Sequence, residues 1–369
     1  MTEMLAGQKI RGDFHLKGKY TNAVIHTENV DSATLQQVRD MINCDVSEGS
    51  SIHIMPDCHA GKGCTIGTTM TIKDKICPNL VGVDIGCSVL CLKLQGLFTV
   101  DDFLDACEKV PSGVGKYHSK PKTFRDLKDL SFKVEKMDQI LSSIGTLGSG
   151  NHFIELNEDE EGDQYIVIHT GSRNLGIQVC VHHMEIAKKT NPRGDLSFLA
   201  GTDLENYLHD MKICQYYAEK NRAEIARILL DNLGIAHVVD YFETVHNYID
   251  FNDNILRKGA ISCVKDKKVL IPFNMRDGSI IGVGKGNPDW NYSGPHGAGR
   301  IMSRSQAKKN VTLEEFQDTM KGISSRTVCE NTIDEAPQVY KNAKEIEELI
   351  SDTVEVQKHL RVLANYKGF

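Results

Sequence analysis

The pattern of apolar and polar positions alternates between two periods along this chain. Apolar residues recur every three to four positions over Ser32–Met41, Leu204–Leu233 and Lys344–Leu360, which predicts three helices. In the longest, Leu204, Leu208, Met211, Tyr217, Ile225, Ile228 and Leu229 form the apolar stripe. Asp31 or Ser32 can cap the first helix, and Thr312 with Glu315 makes a capping box ahead of Phe316 and Met320. Short β-rich runs predict strands at Ser51–Met55, Met70–Ile72, Val89–Leu94, Tyr165–His169, Lys268–Ile271 and Ser279–Val283. The two kinds of element mix without a regular βαβ alternation, so the expected class is α+β with mixed sheets. No repeat, low-complexity tract or linker divides the chain, and residues 1–369 are expected to form a single domain.

Composition narrows the class of protein. Of 369 residues, 40% are hydrophobic and 25% charged, which is ordinary for a globular protein with an ample core. No apolar run is long enough to span a bilayer, and MTEMLAGQKIRGDF has no apolar signal core. The cytoplasm is therefore the expected compartment, with no membrane partner. Eleven cysteines, an odd number without framework spacing, read as reduced thiols. A net charge of −7 argues against coating nucleic acid through bulk charge. It leaves room for a basic cleft, whose field depends on its lining. The basic stretches Lys116–Arg125 and Lys188–Arg193 read first as solvated loops.

The chemistry is concentrated in glycine-rich turns. PDCHAGKGCTIG, VGVDIGCS, GTLGSGNHFIE, HTGSRNLG and SGPHGAGR each carry Cys, His, Asp or Asn. Glycine permits positive φ and close approach of backbone to a ligand, so recurrent turns of this kind suggest one shared pocket. Asp84 and Cys87 lie three apart in a turn read as following an apolar strand-like run. With His152, His169 and His246 they form a set suited to a first-row transition metal rather than Mg²⁺ or Ca²⁺. The thiolate could bridge two ions, an arrangement that suits phosphoryl transfer.

These motifs, together with VHNY, RKGAI, HGAGRIMSR, DEAPQVYK and the terminal LANYKGF, resemble the RtcB family of RNA ligases in order, spacing and wording over nearly the whole chain. The resemblance implies an RtcB-type domain with a central metal and nucleotide cleft. It gives Asp84, Cys87, His152, His169 and His246 the role of holding one or two Mn²⁺ ions. His296 becomes the nucleophile that attacks the α-phosphate of GTP and carries GMP. Glu155 and Lys367 would lie near the base, Tyr340 and Phe153 would form its walls, and Asn151 would touch a phosphate. Ser279 matches a serine of the base-binding segment, whereas Asn274 stands where the family usually has another serine. Arg173 would grip an RNA phosphate. Arg300 and Lys258 would either touch phosphate or form charge pairs, and Asp57 and His59 would lie near the metals.

The implied activity joins 2′,3′-cyclic phosphate or 3′-phosphate RNA ends to 5′-hydroxyl ends, in RNA repair or tRNA splicing. Expected partners are broken RNA, GTP and an accessory activator protein, and the expected state is a monomer. Cys58, Cys64, Pro295 and the extra Phe369 depart from the family pattern and resemble a divergent bacterial-type branch. Two other readings stand beside this one. One is a related metal- and GTP-dependent enzyme acting on a different phosphate end, such as DNA. The other is a non-catalytic protein that binds RNA ends.

Overall fold

The computed structural model describes residues 13–369, and its elements are α+β. Asp31 caps helix Ser32–Ile42 by accepting from Thr34 N, as its position predicts. The long stripe becomes helix Gly201–Leu233, which ends where Gly234 turns left-handed at φ 69°. Both sides of the capping box at Thr312 and Glu315 are present, on helix Leu313–Thr319. All six predicted strands exist within a few residues of their expected bounds.

Two sheets organise the molecule. A six-stranded sheet runs in the order 14–17, 22–25, 52–59, 66–71, 255–258, 247–250. A seven-stranded sheet runs 240–245, 88–93, 164–170, 153–158, 354–367, 278–284, 268–274. The larger sheet curls until its edge strands meet, where Leu270 N donates to Thr244 Oγ1 at 3.0 Å. Its central strands are therefore dry on both faces. The inner face packs Val89, Cys91, Phe153, Tyr165, Val167, Leu270, Ile281 and Leu360 together. The outer face packs Leu90, Leu92, Ile154, Leu156, Ile166 and Ile168 against Phe103, Ile225 and Leu229 of the covering helices. This is why the central strands read as continuous apolar runs rather than alternating ones.

Two expectations fail. The helix predicted over Lys344–Leu360 ends early: helix Ala343–Leu349 and one 3-10 turn lead into strand Val354–Lys367. That strand is an interior strand of the seven-stranded sheet, where tertiary pairing on both edges overrides local preference. Its exposed and buried positions alternate over Val354–Leu360, and this period of two also fits the apolar spacing read as helical. The run before Asp84 is not a strand either. Pro78–Leu80 is a 3-10 turn, and the strand begins only at Ser88, after the motif.

Candidate metal and nucleotide site

Strand register brings the predicted residues into one row. At one end of the seven-stranded sheet, Val245 pairs with Ser88, Ser88 with Thr170, His169 with Phe153 and Phe153 with Lys367. Cys87 precedes the first of these pairs and His246 follows it in the chain. Residues separated by hundreds of positions in sequence thus share one edge of a rigid scaffold. His296 comes from elsewhere, after strand Ser293–Pro295, which pairs with 260–262.

The five proposed ligands converge around Cys87. Its Sγ lies 3.2 Å from His169 Nε2 and 3.7 Å from His152 Nε2. His152 Nε2 is also 3.1 Å from Asp84 Oδ2, and His169 Nε2 is 3.2 Å from His246 Nε2. Two groups of potential ligands result, Asp84–Cys87–His152 and Cys87–His169–His246, with the sulfur common to both.

Second contacts fix the tautomers. The other nitrogen of His152 faces Leu147 O at 3.0 Å, and that of His169 faces Asn151 O at 3.1 Å. A carbonyl can only accept, so Nδ1 of His169 carries the proton and its Nε2 turns a lone pair inward, whereas His152 meets acceptors at both nitrogens, Leu147 O and Asp84 Oδ2. Burial pushes His169 down to about 3 and lowers His246 well below its usual value, so both rings are neutral. Burial alone would raise Asp84, but His152 and the bond from Cys87 outweigh it and hold the carboxyl below its ordinary range. Lone pairs from two rings and a carboxylate therefore meet at a buried sulfur with too few protons between them. A divalent cation fits that deficit, and nitrogen with sulfur donors suits a first-row transition metal.

The turn that carries Asp84 and Cys87 is clamped from behind by helix Gly201–Leu233. Arg222, fully buried, donates to Gly86 O at 2.9 Å and Thr170 O at 3.0 Å while its fork holds Glu243. Its neighbour Asn221 accepts from Gly145 N and Thr146 N and donates to Gly171 O. Three site loops are thus fastened by two adjacent residues. Sequence reading missed them because both sit in an otherwise ordinary helical stripe.

A cavity of about 970 Å³ adjoins this cluster. Its lining includes Asn151, Phe153, Glu155, His169, His246, Asn274, His296, Arg300, Tyr340 and Lys367. His296 stacks obliquely on His246, with ring centres 4.9 Å apart. Asp57 Oδ2 takes both the His296 backbone N–H at 3.1 Å and the ring Nδ1–H at 2.6 Å. That leaves Nε2 as the ring's free lone pair. Asp57, expected only near the metals, is instead the residue that orients this histidine. His59 is held by its own turn, at 3.0 Å from Asp57 O, and burial lowers it to about 4.

The far wall of the cavity is built on Glu335, which sequence reading did not single out. Its carboxylate meets Lys367 Nζ at 3.2 Å, Arg300 Nη1 at 3.2 Å and the hydroxyl of Tyr340 at 2.7 Å. Burial works to raise Glu335, but Lys367, Arg304 and Arg300 together bring it down to about 2. Burial raises Glu155 to about 7 despite bonds from Asn365 and Asn157. Lys367 Nζ also sits 5.6 Å over the Phe153 ring, which joins the expected base walls into a connected unit.

The remaining expected residues fall in different places. Asn274 lines the cavity, with its side chain capping the 274–277 turn and bonded to Asp277 at 2.8 Å. Ser279 is buried beside Pro272 in the sheet, its hydroxyl unpartnered, and is not among the lining residues. Lys258 turns its ammonium to Lys62 O, Asn79 O and Cys64 Sγ rather than into the cavity. Arg300 forms the charge pair with Glu335 and still lines the cavity. Arg173 starts helix Arg173–Thr190 with a left-handed φ of 58°, and its guanidinium lies 3.3 Å from His152 Nδ1. It stands behind the metal cluster, outside the cavity lining.

Comparison with known proteins agrees with this site. The family model described as tRNA-splicing ligase RtcB matches residues 37–141 and 125–368. The RNA-splicing ligase RtcB of Escherichia coli K12 is 31% identical over 369 aligned residues, covering 86% of this chain and 90% of that protein. The tRNA-splicing ligase RtcB of Aeropyrum pernix is 26% identical, covering 79% of this chain and 82% of that protein. A match of this extent, over the very turns that converge on Cys87 and His296, means that the chain belongs to the RtcB family.

Proposed function

We propose that this protein is a GTP- and Mn²⁺-dependent RNA ligase that joins 2′,3′-cyclic phosphate or 3′-phosphate ends to 5′-hydroxyl ends through a guanylylated His296. The observation that carries this reading is the orientation of His296. Its Nδ1–H is bound to a buried carboxylate, and its ring lines a cavity beside the Cys87 cluster.

Asp57 holds the imidazole in the tautomer whose Nε2 can attack the α-phosphate of GTP. A bond forms between Nε2 and phosphorus, and pyrophosphate leaves. Asp57 also balances the positive charge that the ring gains. Glu155, Phe153, Tyr340 and Lys367 are suited to hold guanine, the carboxylate accepting from base N–H groups. Asn151 and Arg300 can meet phosphate oxygens. GMP then passes to an RNA 3′-phosphate, and the 5′-hydroxyl of a second end displaces it. Asp84, Cys87, His152, His169 and His246 would hold Mn²⁺, which when bound would neutralise phosphate charge. The cavity volume of about 970 Å³ is at the upper end for a small-molecule site and accommodates a nucleotide.

The test is covalent labelling with α-labelled GTP and Mn²⁺, followed by ligation of an RNA broken into 2′,3′-cyclic phosphate and 5′-hydroxyl ends. Wild-type protein is expected to label and ligate, and His296→Ala to do neither. Asp57→Asn should slow labelling by about 10²–10⁴-fold, the range for losing a proton-handling partner. Labelling that survives in His296→Ala places the nucleophile elsewhere. Parallel DNA ends with the same termini separate RNA ligation from the related activity on another nucleic acid.

A further inference from the structure

A second reactive pair lies behind the wall of the nucleotide cavity. Lys258 Nζ and Cys64 Sγ are 3.1 Å apart in a buried contact. Lys258 is 7% exposed and Cys64 1%. The ammonium is held in place by two carbonyls, Asn79 O at 2.9 Å and Lys62 O at 3.3 Å. Neither partner has a role in the site described above. Among the described residues, Cys64 is the cysteine whose sulfur accepts from a lysine. Peroxides oxidise cysteine sulfur, and here a lysine ammonium lies in contact with it. The same ammonium, once deprotonated, is a nucleophile already in contact with the sulfur.

We propose that Cys64 and Lys258 are a redox modification site, joined covalently on exposure to a hydroperoxide. Hydrogen peroxide oxidises the Cys64 thiol to a sulfenic acid: an S–O bond forms, the O–O bond breaks, and the second oxygen leaves as water with the thiol's proton. Lys258 Nζ gives up a proton to solvent and attacks the sulfenic sulfur. An N–S bond forms, the S–O bond breaks, and a second water departs. The overall change is a thiol and an amine losing two hydrogens to one peroxide, which is reduced to two waters. Two thiols of a reductant reverse it by returning those hydrogens and forming their own disulfide.

The position gives the bond a consequence. Gly61 and Lys62, just before Cys64, line the cavity. Gly259, just after Lys258, is left-handed at φ 60°, and a side chain there would come within 3.2 Å of the His296 ring. The cross-link therefore ties the 61–64 turn to the segment packed against that ring.

The experiment treats the full-length protein with graded hydrogen peroxide, digests it, and reads the peptides by mass spectrometry before and after dithiothreitol. The expected result is a peptide pair joined through Cys64 and Lys258, lighter by two hydrogens and released by dithiothreitol. A joined pair that retains one oxygen also supports the site. Cys64→Ala and Lys258→Arg should each lack the joined pair. In Lys258→Arg, which keeps the positive charge, Cys64 should instead be trapped as a sulfenic acid by a 1,3-dione reagent. If Cys64 remains a thiol while other cysteines oxidise, or oxidises without joining Lys258, the proposal is overturned. These readouts require neither GTP nor RNA, so they stand apart from the proposed ligase activity.

Discussion

The two halves of the site are stabilised in opposite ways. Around Cys87, ligand atoms crowd together: two imidazole nitrogens lie 3.2 and 3.7 Å from its sulfur, and Asp84 Oδ2 lies 3.1 Å from one of them. Around Glu335, every contact is complementary, with one carboxylate serving Lys367, Arg300 and a tyrosine hydroxyl. The first region is electrostatically incomplete, and a cation would make it whole. The second is complete in itself and would offer a finished surface to the proposed nucleotide. Preassembly of this kind lowers the ordering cost of binding.

Substitutions should therefore act differently in the two halves. Cys87→Ala removes the atom common to both ligand groups and should abolish Mn²⁺ binding by calorimetry. The loss should exceed the roughly 100-fold that removing a mere supporting contact costs. Nearly normal Mn²⁺ affinity would show that the sulfur is not a ligand. The same change should raise the thermal stability of metal-free protein or leave it unaltered, because it relieves crowded acceptors.

Glu335→Gln should do the reverse. It leaves Lys367 buried beside an uncharged amide and should cost about 3 kcal/mol of folding stability, by denaturant titration. Mn²⁺ affinity should hardly move, while GTP affinity falls. Because Glu335 is lowered to about 2 in the fold, its contribution is present above its ordinary range near 4.5. It should fade as pH drops toward 2.

Glu155 carries the opposite sign. Burial raises it to about 7, so its contribution is intact below 4.5 and is lost as pH rises toward 7. The gap corresponds to about 3 kcal/mol at most. Thermal melts of the nucleotide-free protein between these pH values should slope downward, and Glu155→Gln should flatten the slope. An unchanged slope would mean that Glu155 ionises normally in the folded chain. The smallest effect belongs to Ser279→Ala, which should change GTP affinity less than about threefold, since the hydroxyl lies outside the cavity lining. A loss of tenfold or more would bring Ser279 into the base site.

The contrast also explains what could be read from the chain alone. The cluster around Cys87 was legible, because its proposed ligands are unusual residues in unusual turns: Asp84 and Cys87 beside glycines, His152 after Asn151. The wall around Glu335 depended on ordinary residues in ordinary segments. Glu335 looks like one more acid near a 3-10 turn, and only tertiary packing places it under Lys367. Asn221 and Arg222 were hidden for the same reason, as polar positions within a helix whose outer face is solvated. The error over Lys344–Leu360 has a definite cause. A strand bordered by strands on both sides is specified by partners at 153–158 and 278–284, far away in sequence, and local periodicity does not carry that information.

That same strand imposes an order of events during synthesis. Val354–Lys367 lies inside the seven-stranded sheet yet is translated after both of the strands that flank it. The ribosome must release the chain through residue 367 before strands 153–158 and 278–284 can be bridged. A nascent chain stalled before residue 354 would hold the turns around Cys87 but have neither a closed sheet nor the lysine that meets Glu335. Such a fragment would expose two unpaired strand edges, the kind of surface that chaperones capture.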